Sequence, residues 1–148
     1  MKTLAVIPAR YASTRLPGKP LVKIAGVPLV VRVLDNVRAC ASVDRVVVAT
    51  DDERIAAVVR ENGAEAVMTP PELPSGGDRV AFVAREMEAD YVINIQVDDQ
   101  LVGSDMIEPL VAALDSDSFV KLALLAKQIE GPAEIEAKDV VKVVFAAD

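Results

Sequence analysis

Aliphatic runs of strand length alternate along the chain with segments whose apolar residues recur every three or four positions. Thr3–Ile7, Arg45–Thr50 ("RVVVAT"), Glu65–Met68 and Tyr91–Val97 ("YVINIQV") each predict a strand. Between them, Val30, Val31, Leu34 and Val37 fall on one helical face, with Pro28 acceptable in a first turn. Asp51–Asp52 predicts the start of a helix through Arg60, ended by Asn62–Gly63. Thr69–Gly77 ("TPPELPSGG") is a long loop of turn formers, and Asp78–Glu88 is helical with Val80, Val83 and Met87 on one face. Ser104 and Asp105 suit the cap of a helix running to Asp115, and Val120–Ala126 and Val140–Phe145 read as two further strands.

Repeated strand–helix alternation implies βαβ units and a mostly parallel sheet with helices on both faces, an α/β fold of three layers. The uninterrupted aliphatic character of the strands suits a sheet covered on both sides. The chain has 148 residues, no internal repeat and no evident linker, so residues 1–148 are expected to form one domain. Ligands of such sheets sit beyond the C-terminal strand ends. The loop after the first strand and the "DDQ" turn after Tyr91–Val97 therefore belong to one crevice, if both strands run parallel.

Charge sharpens this picture. The net charge is −7, which argues against a nucleic-acid binder. Yet residues 1–34 carry Lys2, Arg10, Arg15, Lys19, Lys23 and Arg32 and no acid, and all 23 acidic residues come later. A local basic patch on an acidic protein suits a small anionic ligand. The chain has no histidine and one cysteine, which removes Ser-His-Asp and Cys-His catalysis and multi-cysteine zinc sites. Any metal is expected on oxygen ligands, as for magnesium. No signal peptide is visible and no apolar run reaches ~18 residues, so no membrane span is expected and the cytoplasm is the expected location.

Three stretches carry candidate chemistry. "IPARYASTRLPGKPL", Ile7–Leu21, holds three cations and the hydroxyls of Ser13 and Thr14. It fails the Walker A pattern, with Ser13 in place of its first glycine and Pro20 in place of its Ser/Thr, and no G-x-G-x-x-G occurs in the chain. Such a loop can still wrap a triphosphate with backbone amides and fixed cations, although the same residues also suit a solvated loop. In "INIQVDDQ", Asn94, Gln96 and Asp98 alternate onto one face of a strand expected to be buried, where polar groups need partners. That row suits a ligand wall ending in a metal-binding carboxylate, while the acids also suit a turn cap. "SGGDR", Ser75–Arg79, offers glycines for close backbone approach and helix N-terminal amides. It equally suits a plain helix start capped by Ser75.

In this order, "IPARYASTRLPGKPL", "ATDDERIA", "SGGDRVA", "INIQVDD" and "VVKVVF" resemble the CTP:3-deoxy-manno-octulosonate cytidylyltransferases over essentially the whole chain. The related acylneuraminate cytidylyltransferases share an R-L-P-x-K pattern but usually have a Gly-rich segment where this chain has "YAST". The resemblance implies a Rossmann-like nucleotidyltransferase sheet and transfer of CMP from CTP to the sugar acid Kdo, with release of pyrophosphate, for lipopolysaccharide. It implies magnesium as cofactor, CTP and Kdo as partners, and a homodimer. By the same resemblance, Arg10, Arg15 and Lys19 lie on the triphosphate. The backbone at Ala9–Arg10 and the segment containing Ser75, Gly76 and Arg79 hold cytosine and ribose. Gln96 faces the sugar acid, and Asp98 binds magnesium.

The chain departs from the family in three places. The family's Gln-Gly-Asp-Glu-Pro turn reads Gln96-Val97-Asp98-Asp99-Gln100, so Val97 is expected either to strain the turn or to narrow the substrate space. Its Ser-Gly-Thr-Glu-Arg reads Ser75-Gly76-Gly77-Asp78-Arg79. The chain also stops short of the family's length. The rest of the sugar site, much of the dimer contact and a second magnesium aspartate are expected beyond Asp148. Two alternatives stay open beside CMP transfer to Kdo: a CTP-binding domain without catalysis, and transfer to another sugar acid such as an acylneuraminate.

Overall fold

The computed structural model describes residues 1–12 and 16–144. Its central sheet is built from four parallel strands in the order β5-β4-β1-β6: β1 (Thr3–Ala9), β4 (Arg45–Thr50), β5 (Glu65–Met68) and β6 (Tyr91–Asn94). Every residue of β1 is buried, which is why its sequence is apolar without alternation. Ala5, Ile7 and Ala9 join one core with α1 (Leu29–Arg38), α2 (Glu53–Glu61) and α4 (Ser104–Ser116). Leu4 and Val6 join a second core on the opposite face, with Val47 and Ala49 of β4 and with Val80 and Val83 of α3 (Gly76–Arg85). The expected three-layer α/β arrangement is present, with helices on both faces.

Register carries the consequence for function. Ala9 pairs with Thr50, and Val6 pairs with Asn94. The C-terminal ends of β1, β4 and β6 therefore open on the same edge of the sheet.

Several boundaries differ from the sequence pattern. β6 ends at Asn94 rather than Val97, because Gln96–Asp99 closes a turn in which the Asp99 amide donates to the Gln96 carbonyl at 3.0 Å. α3 starts at Gly76, two residues before the expected start. α4 has Gly103 at its N-cap with no side-chain cap bond, so Ser104 and Asp105 do not cap it. A small hairpin, β2 (Lys23–Ile24) with β3 (Val27–Pro28), was not visible in the hydrophobic pattern. Its turn places Ala25 at φ 50° and Gly26 at φ 83°, the geometry of a two-residue hairpin without the usual Asn-Gly.

The two expected strands at Val120–Ala126 and Val140–Phe145 are not formed among the described residues. Only α5 (Pro132–Glu136) is regular between residues 117 and 144. Leu122, Leu124, Val141 and Val144 are largely exposed. An alternating or apolar run becomes a strand only when a ladder partner is present. Here no described strand pairs with β6 on its outer side. No helix among the described residues is long and apolar enough to cross a membrane.

Candidate active site

The basic loop leaves β1 at Arg10 and returns through a left-handed turn at Gly18. The Gly18 amide donates to the Tyr11 carbonyl at 2.8 Å, which closes the two ends of the loop on each other. Gly18 has φ 70°, a conformation that favours glycine. A Cβ there would also lie 3.1 Å from Cε2 of Tyr11, so the tyrosine ring lies directly against this turn. Lys19 follows in a short 3₁₀ turn, Lys19–Leu21. Ser13, Thr14 and Arg15 lie outside the described residues.

The loop meets the turn after β6 and the segment ahead of α3. Lys19 Nζ sits 2.6 Å from Asp98 Oδ2, joining residues 79 positions apart. Both groups stay accessible, with Lys19 30% and Asp98 54% exposed at the side chain. Arg10 Nη1 donates to the Pro74 carbonyl at 3.0 Å, which ties the basic loop to the segment ahead of α3. A Cβ added to Gly76 would lie 3.2 Å from Cγ of Pro8 and 3.6 Å from Oε1 of Gln96. Glycine at this position is what lets the helix start press against the ends of β1 and β6. Arg10, Lys19, Gly76, Gln96 and Asp98 thus gather at the C-terminal edge of the sheet, around the end of β1 at Ala9, and this edge is the candidate crevice. The Ala9 side chain itself is buried in the core.

Asn94 and Gln96 share a face, as their alternation predicts, and Gln96 Nε2 donates to Asn94 Oδ1 at 3.0 Å. They are exposed rather than buried. α3 packs mainly on β1 and β4, and leaves this side of β6 open. The polar row is therefore a wall of the crevice and needs no partner inside a core.

Val97 does not strain the turn. Ala25 is the only non-glycine residue with positive φ among the described residues. The Val97 side chain is 9% exposed and packs with Val102 and Ile107 on the α1 and α4 side, facing away from Gln96. Neither expected effect of this residue, strain or a narrowed crevice, is present. Asn36 Nδ2 of α1 donates to the Gln100 carbonyl at 2.9 Å and anchors the same turn from below.

Ser75 is occupied as a helix cap. Its Oγ accepts from the Asp78 amide at 3.1 Å, and its own amide donates to Asp78 Oδ2 at 3.0 Å. What this segment offers a ligand is backbone, since the Gly76 and Gly77 amides lie in a first helical turn that leaves such groups without intrahelical partners.

Arg79 differs most from its expected role. Its side chain is fully buried. Nη2 donates to Asp51 Oδ2 at 2.6 Å, while Nη1 donates to Thr69 Oγ1 and to the Pro70 carbonyl at 3.1 Å. Burial pushes the guanidinium below its ordinary pKa and Asp51 opposes the shift. Arg79 cannot touch a ligand from this position; it pins the Thr69–Gly77 loop to the end of β4.

No site role for Tyr11, Asp51 or Arg54 was expected from the sequence. Arg54 Cζ stacks 3.4 Å from the centroid of the Tyr11 ring. Asp52, the N-cap of α2, grips the same guanidinium through Nε at 2.9 Å and Nη2 at 2.6 Å. Arg54 holds the Asp52 carboxyl below the usual carboxylate range, chiefly by these side-chain bonds. The available signal was a lone aromatic residue inside a basic loop.

The donor set suits magnesium carried by a nucleotide. Magnesium commonly takes one or two carboxylates and completes its shell with phosphate oxygens and water. Asp98 supplies an accessible carboxylate at the strand end, beside Lys19. No group of three or more metal-binding side chains occurs among the described residues.

Residues 4–148 match the family model described as cytidylyltransferase. The chain is 46% identical over 148 residues to the 3-deoxy-manno-octulosonate cytidylyltransferase of Syntrophobacter fumaroxidans, covering 98% of this chain and 59% of that protein. It is similar to the solved structure of CMP:2-keto-3-deoxy-manno-octonic acid synthetase complexed with CTP, with a TM-score of 0.79 and 40% identity over 81% of this chain and 50% of that one. A cytidylyltransferase from Leptospira borgpetersenii has the same fold, with a TM-score of 0.71 at 21% identity over 80% of this chain and 51% of that one. The chain thus spans between half and two thirds of the length of these relatives.

Proposed function

The chain belongs to the cytidylyltransferase family, and from that premise we propose that its crevice binds CTP and transfers CMP to 3-deoxy-manno-octulosonate, for lipopolysaccharide biosynthesis. In this reaction the anomeric hydroxyl oxygen of the sugar acid attacks the α-phosphorus of CTP. The bond from that phosphorus to the bridging oxygen breaks, pyrophosphate leaves, and the hydroxyl proton goes to solvent. Such transfers depend on positioning and on neutralising phosphate charge, so the absence of histidine is no obstacle.

The roles we propose combine the family resemblance with where the described residues lie. Arg10 and Lys19 lie on the triphosphate, with Arg15 of the same loop assigned there by family resemblance. The Ala9–Arg10 backbone and the Gly76–Gly77 amides take the nucleoside. Gln96 faces the sugar acid. Asp98 would hold magnesium, which when bound offsets charge on the phosphate oxygens. The observation that carries the reading is the meeting of Lys19 and Asp98 at 2.6 Å, on the ligand-binding edge of a parallel sheet.

Calorimetric titration with CTP and with cytidine tests the assignment. Lys19→Ala is expected to weaken CTP binding about tenfold, the scale of one charge-assisted contact to phosphate, and to leave cytidine unchanged. Asp98→Ala is expected to abolish the magnesium dependence of CTP binding, and Asp99→Ala to leave it. Equal loss of CTP and cytidine in Lys19→Ala, or the reverse ranking of the two aspartates, would contradict these roles.

A further inference from the structure

The reading of the crevice as a triphosphate site leaves one set of contacts unused. Asp52 caps α2 at the end of β4 and grips the Arg54 guanidinium with both carboxylate oxygens. That guanidinium stacks over the Tyr11 ring, 3.4 Å from its centroid. The ring lies 3.1–3.3 Å from where a Gly18 Cβ would stand. Gly18 is the left-handed residue that turns the chain into Lys19, and its carbonyl accepts from the Leu21 amide at 2.8 Å to hold the 3₁₀ turn. Lys19 in turn reaches Asp98 at the end of β6. These contacts form an unbroken series across the crevice, from the end of β4 to the end of β6, with Tyr11 in the middle.

We propose that Tyr11 and Arg54 are positioning residues for the triphosphate, setting where the Gly18 turn sits and hence where Lys19 delivers its charge. The inference rests on the proposed function. Neither side chain is asked to touch phosphate. A guanidinium held in plane by a carboxylate is a rigid platform for an aromatic face. The three described heavy atoms nearest the missing Gly18 Cβ all belong to this ring and its hydroxyl, at 3.1–3.3 Å. With the platform gone, the turn keeps its backbone hydrogen bonds and loses its fixed distance from α2. Lys19 and Arg10 then no longer hold a preset spacing, and the affinity of the charged part of the ligand falls.

The test compares CTP and cytidine binding to the chain and its variants by calorimetry, with thermal unfolding of each. Tyr11→Leu and Arg54→Ala are each expected to weaken CTP binding by up to about tenfold, the scale of losing the Lys19 contact itself, and to change cytidine binding less than about twofold. Tyr11→Phe keeps the ring and is expected to restore wild-type affinity. A parallel loss of CTP and cytidine binding together with a lower Tm would make the pair merely structural and overturn the inference. Unaltered CTP binding in both variants, with wild-type binding intact, would overturn the inference alone. A wild-type chain that binds no CTP would overturn the triphosphate reading as well.

A second measurement needs no variant. The chain has two tyrosines, and Tyr91 lies at the opposite end of the sheet, its hydroxyl donating to Asp115 at 2.9 Å. CTP is expected to shift the Tyr11 ring signals in the NMR spectrum and to leave those of Tyr91 in place. Tyr11 signals unmoved at saturating CTP would overturn the coupling.

Discussion

Arg79→Met separates the two roles that sequence and structure give this residue. If Arg79 held the nucleotide, its loss would weaken binding and barely change folding. The structure instead buries its whole side chain and pairs it with Asp51 at 2.6 Å, with Thr69 and Pro70 taking its other amino group. Removing one partner of a buried ion pair costs about 3–5 kcal/mol, because the other charge stays behind without compensation. Asp51 keeps 11% of its side chain exposed, which puts the expected loss at the lower end, about 3 kcal/mol. Methionine fills much of the volume, so little of the loss comes from a cavity. Urea unfolding of Arg79→Met should show this loss. Adding Asp51→Asn should recover about 1–2 kcal/mol, since a neutral amide is cheaper to leave partly unsatisfied than a carboxylate. A stability within about 1 kcal/mol of wild type, or no recovery in the double variant, would refute the account of Arg79 as a pin for the Thr69–Gly77 loop.

Two further predictions concern stability alone. Ala25 sits at φ 50° in the β2–β3 turn, where Asn is tolerated better than Ala, so Ala25→Asn is expected to raise unfolding stability by about 0.5–1 kcal/mol in urea, and a loss would contradict the assigned turn. Asp52 has a folded pKa below its ordinary 3.8, so the stability it contributes is complete above that pH and is lost as pH falls through the lowered value. Asp52→Asn keeps a capping oxygen for α2 and is expected to flatten this part of the acid limb in a pH series of Tm values; an acid limb identical to wild type would contradict the assignment.

The sheet was legible because its central strands β1 and β4 are aliphatic runs largely buried on both faces, and the placement of "DDQ" and the basic loop on one edge followed from parallel topology alone. What stayed hidden depends on which neighbours are present. Asn94 and Gln96 looked anomalous in a strand assumed to be covered, and α3 leaves exactly that side open, so they needed no buried partner. Phe119–Val144 carries strand-like apolar residues but finds no ladder among the described residues. Arg79 read as a ligand residue because "SGGDR" shows a cation beside a helix start, and nothing in its spacing shows that Asp51, 28 positions earlier, takes it inward. Val97 read as a defect at a glycine position, yet its backbone is ordinary and its side chain completes the core beneath the turn. Tyr11 and Arg54 lie 43 positions apart and meet only because β1 and β4 are neighbours.

The most direct test of the central claim is pyrophosphate release by this chain from CTP with 3-deoxy-manno-octulosonate and magnesium, set against ATP and against an acylneuraminate. Release is expected with CTP and 3-deoxy-manno-octulosonate and with neither substitute. Retained CTP binding without release would contradict the transfer and leave the crevice a nucleotide site whose chemistry is completed elsewhere.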